Sequence, residues 1–397
     1  MTRELATDLI HHPYKPPAGF EGTQVGVYKA STIIFPNVAA VRHRDWRHKT
    51  GYTYGLHGTP TTFTLEERIA TLEGGLQCVL VPSGLAAIMV VNAALLAQGD
   101  ELLLPDNVYG PSRELARQEL ARWGITHRTY DAMDPASLAA AIGPHTKLVW
   151  REAPGSVTME FPDLAGLVAA AKARGVLTAL DNTWGAGIAF RAFDHGIDIV
   201  MQALTKYPSG GGDVLMGSVT TRDQDLHERI KLTHMRLGIG VGGNDVELVL
   251  RSLATMPLRY EAQDAAGRQL AGWLARRPEV MRVLHPAFEG APGHAHWRET
   301  CSAAAGLFSV LLDERYAPAQ VDAFVDALRL FRIGYSWAGP VSLVVPYDLA
   351  SMRGPGRAGL RGHLVRFSMG FEAVGDLQDD IAQAMVSALG ATGPVGA

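Results

Sequence analysis

A lysine at the end of an apolar run is the residue of this sequence with the clearest chemical potential. The run Ile199–Leu204 predicts a buried strand, and Thr205 and Lys206 follow it directly. Burial disfavours the charged form of an amine, so a desolvated lysine keeps the electron pair with which an amine attacks a carbonyl. The alternative is that the stem of Lys206 is buried while its ammonium reaches solvent. The position therefore makes Lys206 a candidate for carbonyl chemistry.

A second candidate is a site for a phosphate-sized anion. Ser83 and Gly84 follow the apolar run Cys78–Val81 and precede a strongly apolar helical stretch, so they stand at a predicted helix N-terminus. Free N–H groups and the positive end of the helix dipole favour an anion there, and glycine permits close approach. The alternative is that Ser83 is an ordinary N-cap. The residues alone leave both interpretations open.

An aromatic ring and a carboxylate follow two further apolar runs. Tyr109 lies in the loop after Glu101–Leu104, where its ring could stack on a flat ligand or pack on its own domain. Asp181 follows Val176–Leu180, and a carboxylate at the end of a buried strand needs a partner. That partner could be the N–H groups of the next turn or the protonated nitrogen of a pyridine ring.

The apolar runs predict a common scaffold for these residues. From about residue 60 they alternate with helical patterns, which is typical of an α/β fold with a mostly parallel sheet flanked by helices. In such sheets the ligand lies beyond the carboxyl ends of the strands. A phosphate cradle, a stacking ring, a carboxylate and a lysine at that edge together describe the parts that hold pyridoxal phosphate (PLP). The predicted strands are Cys78–Val81, Glu101–Leu104, Lys147–Trp150, Val176–Leu180, Ile199–Leu204 and Leu215–Thr220.

Composition narrows the class of protein. The 40 acidic and 36 basic residues nearly balance, so we expect neither a nucleic-acid nor a membrane partner. The longest apolar stretch, residues 85–97, is shorter than the roughly 20 residues that span a bilayer. The first residues, around Asp8 and His11, lack a signal-peptide pattern, two cysteines give no disulfide framework, and the 14 histidines show no metal-binding spacing. We therefore expect a cytoplasmic protein without a metal site.

The chain is longer than one typical domain of roughly 100–200 residues. Residues 1–58 mix aromatic, basic and glycine residues without periodicity, so we expect an N-terminal arm that contacts a neighbouring subunit. Residues 59–250 should form a large cofactor domain and residues 251–397 a smaller α+β domain, with strand candidates at Gly306–Leu312 and Leu364–Met369. Residues 390–397 are rich in glycine and are expected to be disordered.

The run Asp198–Tyr207 resembles the lysine signature of the Cys/Met-metabolism PLP-dependent enzymes. The resemblance implies the fold-type-I PLP-dependent transferase-like fold, with PLP as cofactor and a small sulfur amino acid as substrate. It also implies a homotetramer of two dimers, in which the arm reaches the active site of the neighbouring subunit. Further segments match the family in chain order: Tyr54-Gly55, Glu73-Gly74-Gly75, Ser83-Gly84-Leu85, Asp181-Asn182-Thr183-Trp184 and Gly196-Ile197-Asp198.

By matching motif, the resemblance gives Lys206 two tasks, as the Schiff-base anchor of PLP and as the general base that takes the substrate Cα proton. Asp181 would keep the pyridine nitrogen protonated, and Tyr109 would stack on the ring. Arg366 would bind the substrate carboxylate as a bidentate fork. The remaining implied contacts are Ser336 and Trp337 along the carboxylate pocket, and Ser83, Gly84, Leu85, Thr183, Thr205 and, across the dimer, Tyr54 on the cofactor. Tyr54 or Tyr109 would also tune the proton transfers.

The segments Ala153–Glu160 and Tyr335–Gly339 most resemble the bacterial cystathionine β-lyase branch of the family, whose γ-acting relatives usually have leucine where Trp337 stands. A carbon–sulfur lyase that converts L-cystathionine to homocysteine, pyruvate and ammonia is therefore expected. Cystathionine γ-synthase or γ-lyase, methionine γ-lyase and a broad cysteine-conjugate β-lyase remain alternatives. Outside the family, the alternatives are a non-catalytic protein with this fold and a dinucleotide oxidoreductase. The second rests on a GxGxxG spacing at residues 238–243, which the charged helical pattern before it disfavours.

The sequence departs from the family pattern at four positions. Leu56 stands where the family usually has an arginine two residues after the arm tyrosine, so a guanidinium expected at the cofactor phosphate is missing. The other three positions are Ala203 for a frequent serine, Gly211 for a histidine and Val341 for a glutamate. These departures concern the phosphate end of the cofactor and the substrate pocket, and they leave the chemistry of Lys206 unaffected.

Overall fold

The fold comes from a computed structural model that describes residues 22–349 and 360–391, together with Thr7, Tyr14, Ala18, Gly19 and Met352. Two expectations lie largely outside the described residues: the missing signal pattern around Asp8 and the disordered tail after residue 391. No helix within the described ranges is long and apolar enough to cross a membrane.

A seven-stranded sheet forms the first half of the fold, in the order β1-β7-β6-β5-β4-β2-β3. Only β7 runs antiparallel to its neighbours β1 and β6, so the prediction of a mostly parallel sheet is confirmed. The carboxyl ends of the other strands therefore share one edge. The strands are β1 (Gln77–Val81), β2 (Glu101–Pro105), β3 (Thr126–Tyr130), β4 (Thr146–Glu152), β5 (Leu177–Asp181), β6 (Ile199–Gln202) and β7 (Gly217–Thr221).

All six predicted strands overlap observed ones, and β3 was not predicted. Its residues Thr126-His127-Arg128-Thr129 are polar and largely exposed, because β3 pairs only with β2 at the sheet edge. An edge strand needs less apolar surface than a central one. Between β5 and β6 the residues Ile188–Gly196 look helical in the sequence, but the structure has only a 3₁₀ turn there, at Ala192–His195, flanked by Gly187 and Gly196 with positive φ.

Helices cover both faces of this sheet. The helices of this half of the fold are α1 (Val38–Arg42), α2 (Pro60–Glu73), α3 (Gly84–Leu95), α4 (Gly110–Leu115), α5 (Pro135–Ala141), α6 (Leu164–Lys172), α7 (Gln224–Leu237) and α8 (Gly243–Leu253), with a 3₁₀ turn at Gly55–His57 and a π-helical segment at Ala116–Leu120 after α4. Apolar side chains of α3 and α7 pack on one face of the sheet, and those of α5 and α6 on the other. Asn92, the polar residue inside α3, accepts a hydrogen bond from Trp150 Nε1 at 2.8 Å.

A second sheet of five strands follows, in the order β10-β11-β12-β9-β8. The predicted strand candidates correspond to β9 and β12, whereas β8, β10 and β11 were not predicted. The proposed domain bounds 1–58, 59–250 and 251–397 stay a prediction. The elements are α9 (Met256–Leu274), β8 (Val280–Leu284), α10 (His294–Thr300), β9 (Leu307–Leu312), α11 (Pro318–Asp326), β10 (Arg332–Ile333), β11 (Leu343–Tyr347), β12 (His363–Ser368) and α12 (Val374–Leu389).

Candidate active site

The N-terminus of α3 forms a cradle against the loop after β6. Ser83 caps the helix, and its hydroxyl accepts the N–H of Ala86 at 3.0 Å. The N–H groups of the first helical residues, Gly84 and Leu85, have no carbonyl one turn earlier to accept them. A Cβ on Gly84 would stand 2.7 Å from the Cβ of Ala203, so only glycine lets the helix end approach this closely. The free N–H groups and the helix dipole suit a phosphate. Ser83 is thus an N-cap, and phosphate binding at this helix end stays a prediction.

Asp181 ends β5 and is held from one side. Its Oδ1 accepts the backbone N–H of Thr183 at 2.9 Å and also the Thr183 hydroxyl. The same hydroxyl accepts the N–H of Ala203 at 2.9 Å, which ties the end of β5 to the loop after β6. Burial raises the pKa of Asp181, while the bonds from Thr183 and the charge of Lys206 lower it. The second oxygen, Oδ2, has no hydrogen-bond partner among the described residues and is available to a ligand.

Tyr109 lies beside two carboxyl groups. Its backbone N–H donates to Glu152 Oε1 at 2.6 Å, and 42% of its surface is exposed. Glu152 ends β4 and pairs with Asp181 in the parallel register. Burial, and then the negative charge of Asp181, raise the pKa of Glu152 well above its ordinary value. Burial also raises the pKa of the Tyr109 hydroxyl, and both carboxyl groups add to that rise.

Lys206 points into the site. Its Nζ donates to Ser336 Oγ at 2.7 Å and lies 5.7 Å from the centroid of the Trp337 ring. Burial, followed by the positive charge of Arg366, lowers the pKa of Lys206 to about 8, although Asp181 opposes the change. Near neutral pH an appreciable fraction of this amine is therefore unprotonated, in contrast to an ordinary surface lysine.

Arg366 is a buried cation that faces no acidic partner in the described part of the chain. It lies on β12 with 8% of its surface exposed, and its Nη2 donates to the Ser336 carbonyl at 3.3 Å. Its guanidinium carbon is 5.3 Å from the centroid of the Tyr347 ring. No carboxylate among the described residues lies within ion-pair distance, and burial lowers the pKa of Arg366. A buried charge normally has a counter-charge, so this guanidinium is placed to receive an anionic group from outside the chain.

Two predicted site residues, and one departure from the family pattern, make other contacts. The Thr205 hydroxyl accepts the N–H of Met216 at 3.1 Å and donates to its carbonyl at 3.2 Å, so it is already engaged by backbone. Tyr54 is 45% exposed, and its ring contacts His57 at 5.6 Å between centroids. Leu56 packs toward Gly240 within its own chain. Within the described contacts of one chain, Tyr54 does not meet Lys206, and the phosphate roles of Tyr54 and Thr205 stay predictions.

The sequence did not assign a role to two acids that organise this edge. Glu152 was missed because the predicted strand stopped at Trp150, although an acid directly after an apolar strand is the signal that identified Asp181. Glu73, at the end of α2, is fully buried and accepts hydrogen bonds from Asn182 Nδ2 at 2.9 Å and from Gln202 Nε2. Burial raises the pKa of Glu73 to about 7. Its partners are distant in sequence, so a single chain pattern does not reveal them.

The residues present fit PLP. The edge offers an anion cradle that a Cβ on Gly84 would obstruct, an amine with a lowered pKa, and a carboxylate with a free oxygen. These features, on a mostly parallel sheet flanked by helices, define the class of fold-type-I PLP-dependent enzymes. The dinucleotide alternative fails on context, because residues 238–243 follow helix α7 where the fingerprint requires a strand.

Comparison with known proteins identifies the family. The model of the Cys/Met metabolism PLP-dependent enzymes matches residues 6–386, and the chain belongs to this family. The cystathionine β-lyase of Bordetella avium is 38% identical over 387 residues, which cover 95% of this chain and 96% of the relative. The cystathionine β-lyase of Salmonella typhimurium strain LT2 is 35% identical over 386 residues, with 96% and 98% covered.

Solved structures confirm the fold. The cystathionine γ-synthase of Xanthomonas oryzae pv. oryzae, in complex with aminoacrylate and cysteine, superposes with a TM-score of 0.85 at 30% identity. The match covers 94% of this chain and 95% of that chain. The predicted fold-type-I architecture and the PLP cofactor are therefore both confirmed.

Proposed function

We propose that this protein is a PLP-dependent carbon–sulfur lyase that cleaves L-cystathionine by β-elimination. Cystathionine and water give homocysteine, pyruvate and ammonia, so the protein belongs in sulfur amino-acid metabolism. The observation that carries the proposal is the pair formed by Lys206 and Arg366, which share Ser336: its Oγ accepts from Lys206 and its carbonyl accepts from Arg366. An amino-acid substrate must be bound through both its amine and its carboxylate. The amine would react with PLP held by Lys206, and Arg366 would bind the carboxylate. The names of the relatives supply the substrate class.

Side chains and backbone groups at the carboxyl ends of the parallel strands would hold PLP in this proposal. The amine of Lys206 binds its aldehyde, the free oxygen of Asp181 holds the pyridine nitrogen in its protonated form, and Tyr109 covers the ring. The N–H groups of Gly84 and Leu85 receive the phosphate, with Ser83 as the cap that shapes their turn. Thr183 fixes the Asp181 carboxylate, and Thr205 and the partner subunit's Tyr54 complete the phosphate end. Bound PLP supplies an electron sink for the electron pair left at Cα.

The protein side chains would then divide the work between binding and proton transfer. Arg366 anchors the α-carboxylate. The substrate amine would replace the Lys206 amine on the cofactor aldehyde, and the freed Lys206 amine then lies within reach of the Cα proton as general base. The lowered pKa of Lys206 suits that task, because a base must be unprotonated to accept the proton. Breaking the Cβ–S bond sends its electron pair out with the homocysteine sulfur, and water releases the remaining fragment as pyruvate and ammonia.

The side chain of Trp337 favours β- over γ-elimination in this proposal. Its ring lies against Lys206 and against Tyr207, whose ring centroid is 5.6 Å away. A bulky ring at this position shortens the pocket, which places the β-carbon at the reacting centre. The γ-synthase of Xanthomonas oryzae is one of the relatives that keep the γ alternative open.

The proposal is tested by incubating the PLP-loaded protein with L-cystathionine and identifying the products. Pyruvate with homocysteine supports it, and 2-oxobutyrate with cysteine would show γ-elimination instead. Lys206→Ala should abolish product formation and the yellow colour of bound cofactor. Lys147→Ala, which removes an exposed lysine from the opposite end of β4, is the matched control and should keep both. A wild-type protein that binds PLP but cleaves no thioether amino acid would favour a non-catalytic role.

We also propose that a second copy of the chain covers the arm. Its apolar side chains are unusually exposed for a folded protein: Ile34 at 92%, Val38 at 63% and Tyr28 at 56%.

If Tyr54 acts in the neighbouring subunit, a hybrid of Lys206→Ala and Tyr54→Ala subunits contains one intact site. An equal mixture of these two inactive variants, unfolded and refolded together, should then regain up to about a quarter of wild-type activity for random dimers. A mixture with no activity would refute the shared site.

The assembly into tetramers and the cytoplasmic location remain predictions of the sequence. Sedimentation of the purified protein distinguishes monomer, dimer and tetramer directly. We expect a tetramer, in line with the resemblance to the family.

A further inference from the structure

Gln263 is a buried amide on helix α9 that faces the carboxylate turn, which is the name used here for residues 336–339. Its side chain is fully buried, and its Nε2 donates to the carbonyl of Gly339 at 2.9 Å. Its Oε1 has no hydrogen-bond partner among the described residues. Burying an amide costs free energy unless its polar atoms are hydrogen-bonded. Only one atom of this amide is bonded, so the hydrogen bond to Gly339 needs a structural or functional reason.

The backbone of the carboxylate turn is strained. Ser336 and Ala338 have positive φ values, 118° and 65°, although neither is glycine. Residues with side chains hold such conformations only where surrounding contacts enforce them. Besides the hydrogen bonds from Lys206 and Arg366 to Ser336, two contacts with uncharged side chains do so here. The Trp337 ring packs against Tyr207, and Gln263 binds the end of the turn.

Close packing brings α9 near enough for this bond. A Cβ on Gly306 would stand 2.7 Å from the Cβ of Gln263, so the absent side chain at Gly306 lets the helix approach β9. One turn before Gln263, the Tyr260 ring lies 4.4 Å from that of Tyr207. The buried face of α9 therefore supports the carboxylate turn both directly, through Gln263, and indirectly, through Tyr207.

The carboxylate turn connects the two charged groups of the site. Ser336 Oγ receives the Lys206 amine at 2.7 Å, and the Ser336 carbonyl receives Arg366 at 3.3 Å. A shift of this turn would therefore move the Ser336 carbonyl, and with it the Arg366 guanidinium that donates to it. Gln263 contacts neither group itself.

We infer that Gln263 is a positioning residue, which holds the strained carboxylate turn and thereby fixes Arg366 for the carboxylate of an amino-acid ligand. This inference rests on the proposed function for the role of Arg366. It requires only that an amino acid binds at the site, and it does not depend on which carbon–sulfur bond is cleaved.

Two small probes separate the carboxylate site from the amine site. L-alanine carries the amine and carboxylate of a substrate without a leaving group, and ethylamine lacks the carboxylate. Their binding to the PLP-loaded protein is followed by the absorbance of the bound cofactor. Gln263→Leu should weaken alanine binding by about tenfold, from the loss of one buried hydrogen bond, and leave ethylamine binding unchanged.

Two further variants control the experiment. Gln269→Leu makes the same change on the exposed face of α9 and should alter neither affinity. Gln263→His keeps an N–H donor of similar reach and should restore alanine binding to within about threefold of wild type. With cystathionine, Gln263→Leu should raise KM more than it lowers kcat.

Unchanged alanine binding in Gln263→Leu would overturn the inference. Equal weakening of alanine and ethylamine would overturn it too, because it would show general damage to the site. If Gln263→Leu does not fold, an alanine affinity in Gln263→His as poor as that of Arg366→Gln would count against a donor role. Normal alanine binding by a wild-type protein that does not cleave cystathionine would refute the proposed function and leave the positioning role in place.

Discussion

Replacing Gly84 with alanine should weaken PLP binding without unfolding the protein. The added Cβ would stand 2.7 Å from the Cβ of Ala203 and 3.3 Å from its Cα, and neither atom belongs to a flexible side chain. Either the N-terminus of α3 or the loop after β6 must therefore move. The loop is held, because the N–H of Ala203 binds the Thr183 hydroxyl at 2.9 Å. The helix end with its phosphate cradle is the part expected to shift, away from Lys206.

The size of the effect follows from the cost of an overfilled contact. Inserting a methyl group into a closely packed site costs about 1–3 kcal/mol, which corresponds to about a 5- to 150-fold change in an equilibrium constant. PLP must reach both the cradle and the amine, so a displaced cradle lowers its affinity by a factor in that range. The assay is titration of the cofactor-free protein with PLP, followed by absorbance.

Two controls make this prediction specific. Gly375→Ala adds a methyl group near the start of α12, where nothing lies within 4 Å of the new atom, and it should leave PLP affinity unchanged. The double variant Gly84→Ala with Ala203→Gly removes the closest clash and should recover most of the lost affinity. Wild-type affinity in Gly84→Ala alone, or no recovery in the double variant, would refute the account of the cradle.

Three further predictions concern the charged groups. The pKa of Lys206 is lowered from 10.5 to about 8, so between these pH values the unfolded chain holds more protons than the folded one. The free energy of unfolding of the cofactor-free protein, measured in urea, should therefore rise with pH over this window by up to about 3 kcal/mol relative to Lys206→Met. A difference between wild type and Lys206→Met that stays constant with pH would contradict this. For Glu73, burial raises the pKa from 4.5 to about 7, so the folded chain holds more protons between these values. The free energy of unfolding of the wild type should therefore fall with rising pH in this range. Relative to wild type, Glu73→Gln should gain up to about 3 kcal/mol of unfolding free energy between pH 4.5 and 7. If it shows no relative gain, the Glu73 carboxyl lies in a more polar environment than the structure indicates. Arg366→Gln should raise KM for cystathionine by about 10- to 150-fold through the loss of a charge-assisted contact, and an unchanged KM would move the carboxylate site elsewhere.

The sequence predicted strands that end at one edge of the sheet, because buried parallel strands are continuous apolar runs, while the cofactor roles of the residues at that edge stay predictions. A polar residue directly after such a run is conspicuous, and this signal located Lys206, Asp181 and Ser83. Geometry then decided between interpretations that the pattern left open. Ser83 proved to be a cap, and Gly84 proved to be required for close approach to Ala203.

The remaining parts of the site depend on contacts between distant segments. Gln263 meets Gly339 across 76 positions, and Glu73 meets Gln202 across 129. No local periodicity encodes such pairs, because each residue is an ordinary polar residue in its own segment. The strand β3 was missed for a different reason: it lies at the sheet edge, where polar residues are tolerated.

The central claim is that Lys206 carries the cofactor, and one measurement tests it directly. Borohydride reduction of the PLP-loaded protein makes the bond between lysine and cofactor permanent, and peptide mass spectrometry then identifies the modified residue. The account predicts the added cofactor mass on the peptide that contains Lys206, in stoichiometric yield. Modification of another lysine with Lys206 unmodified would contradict it.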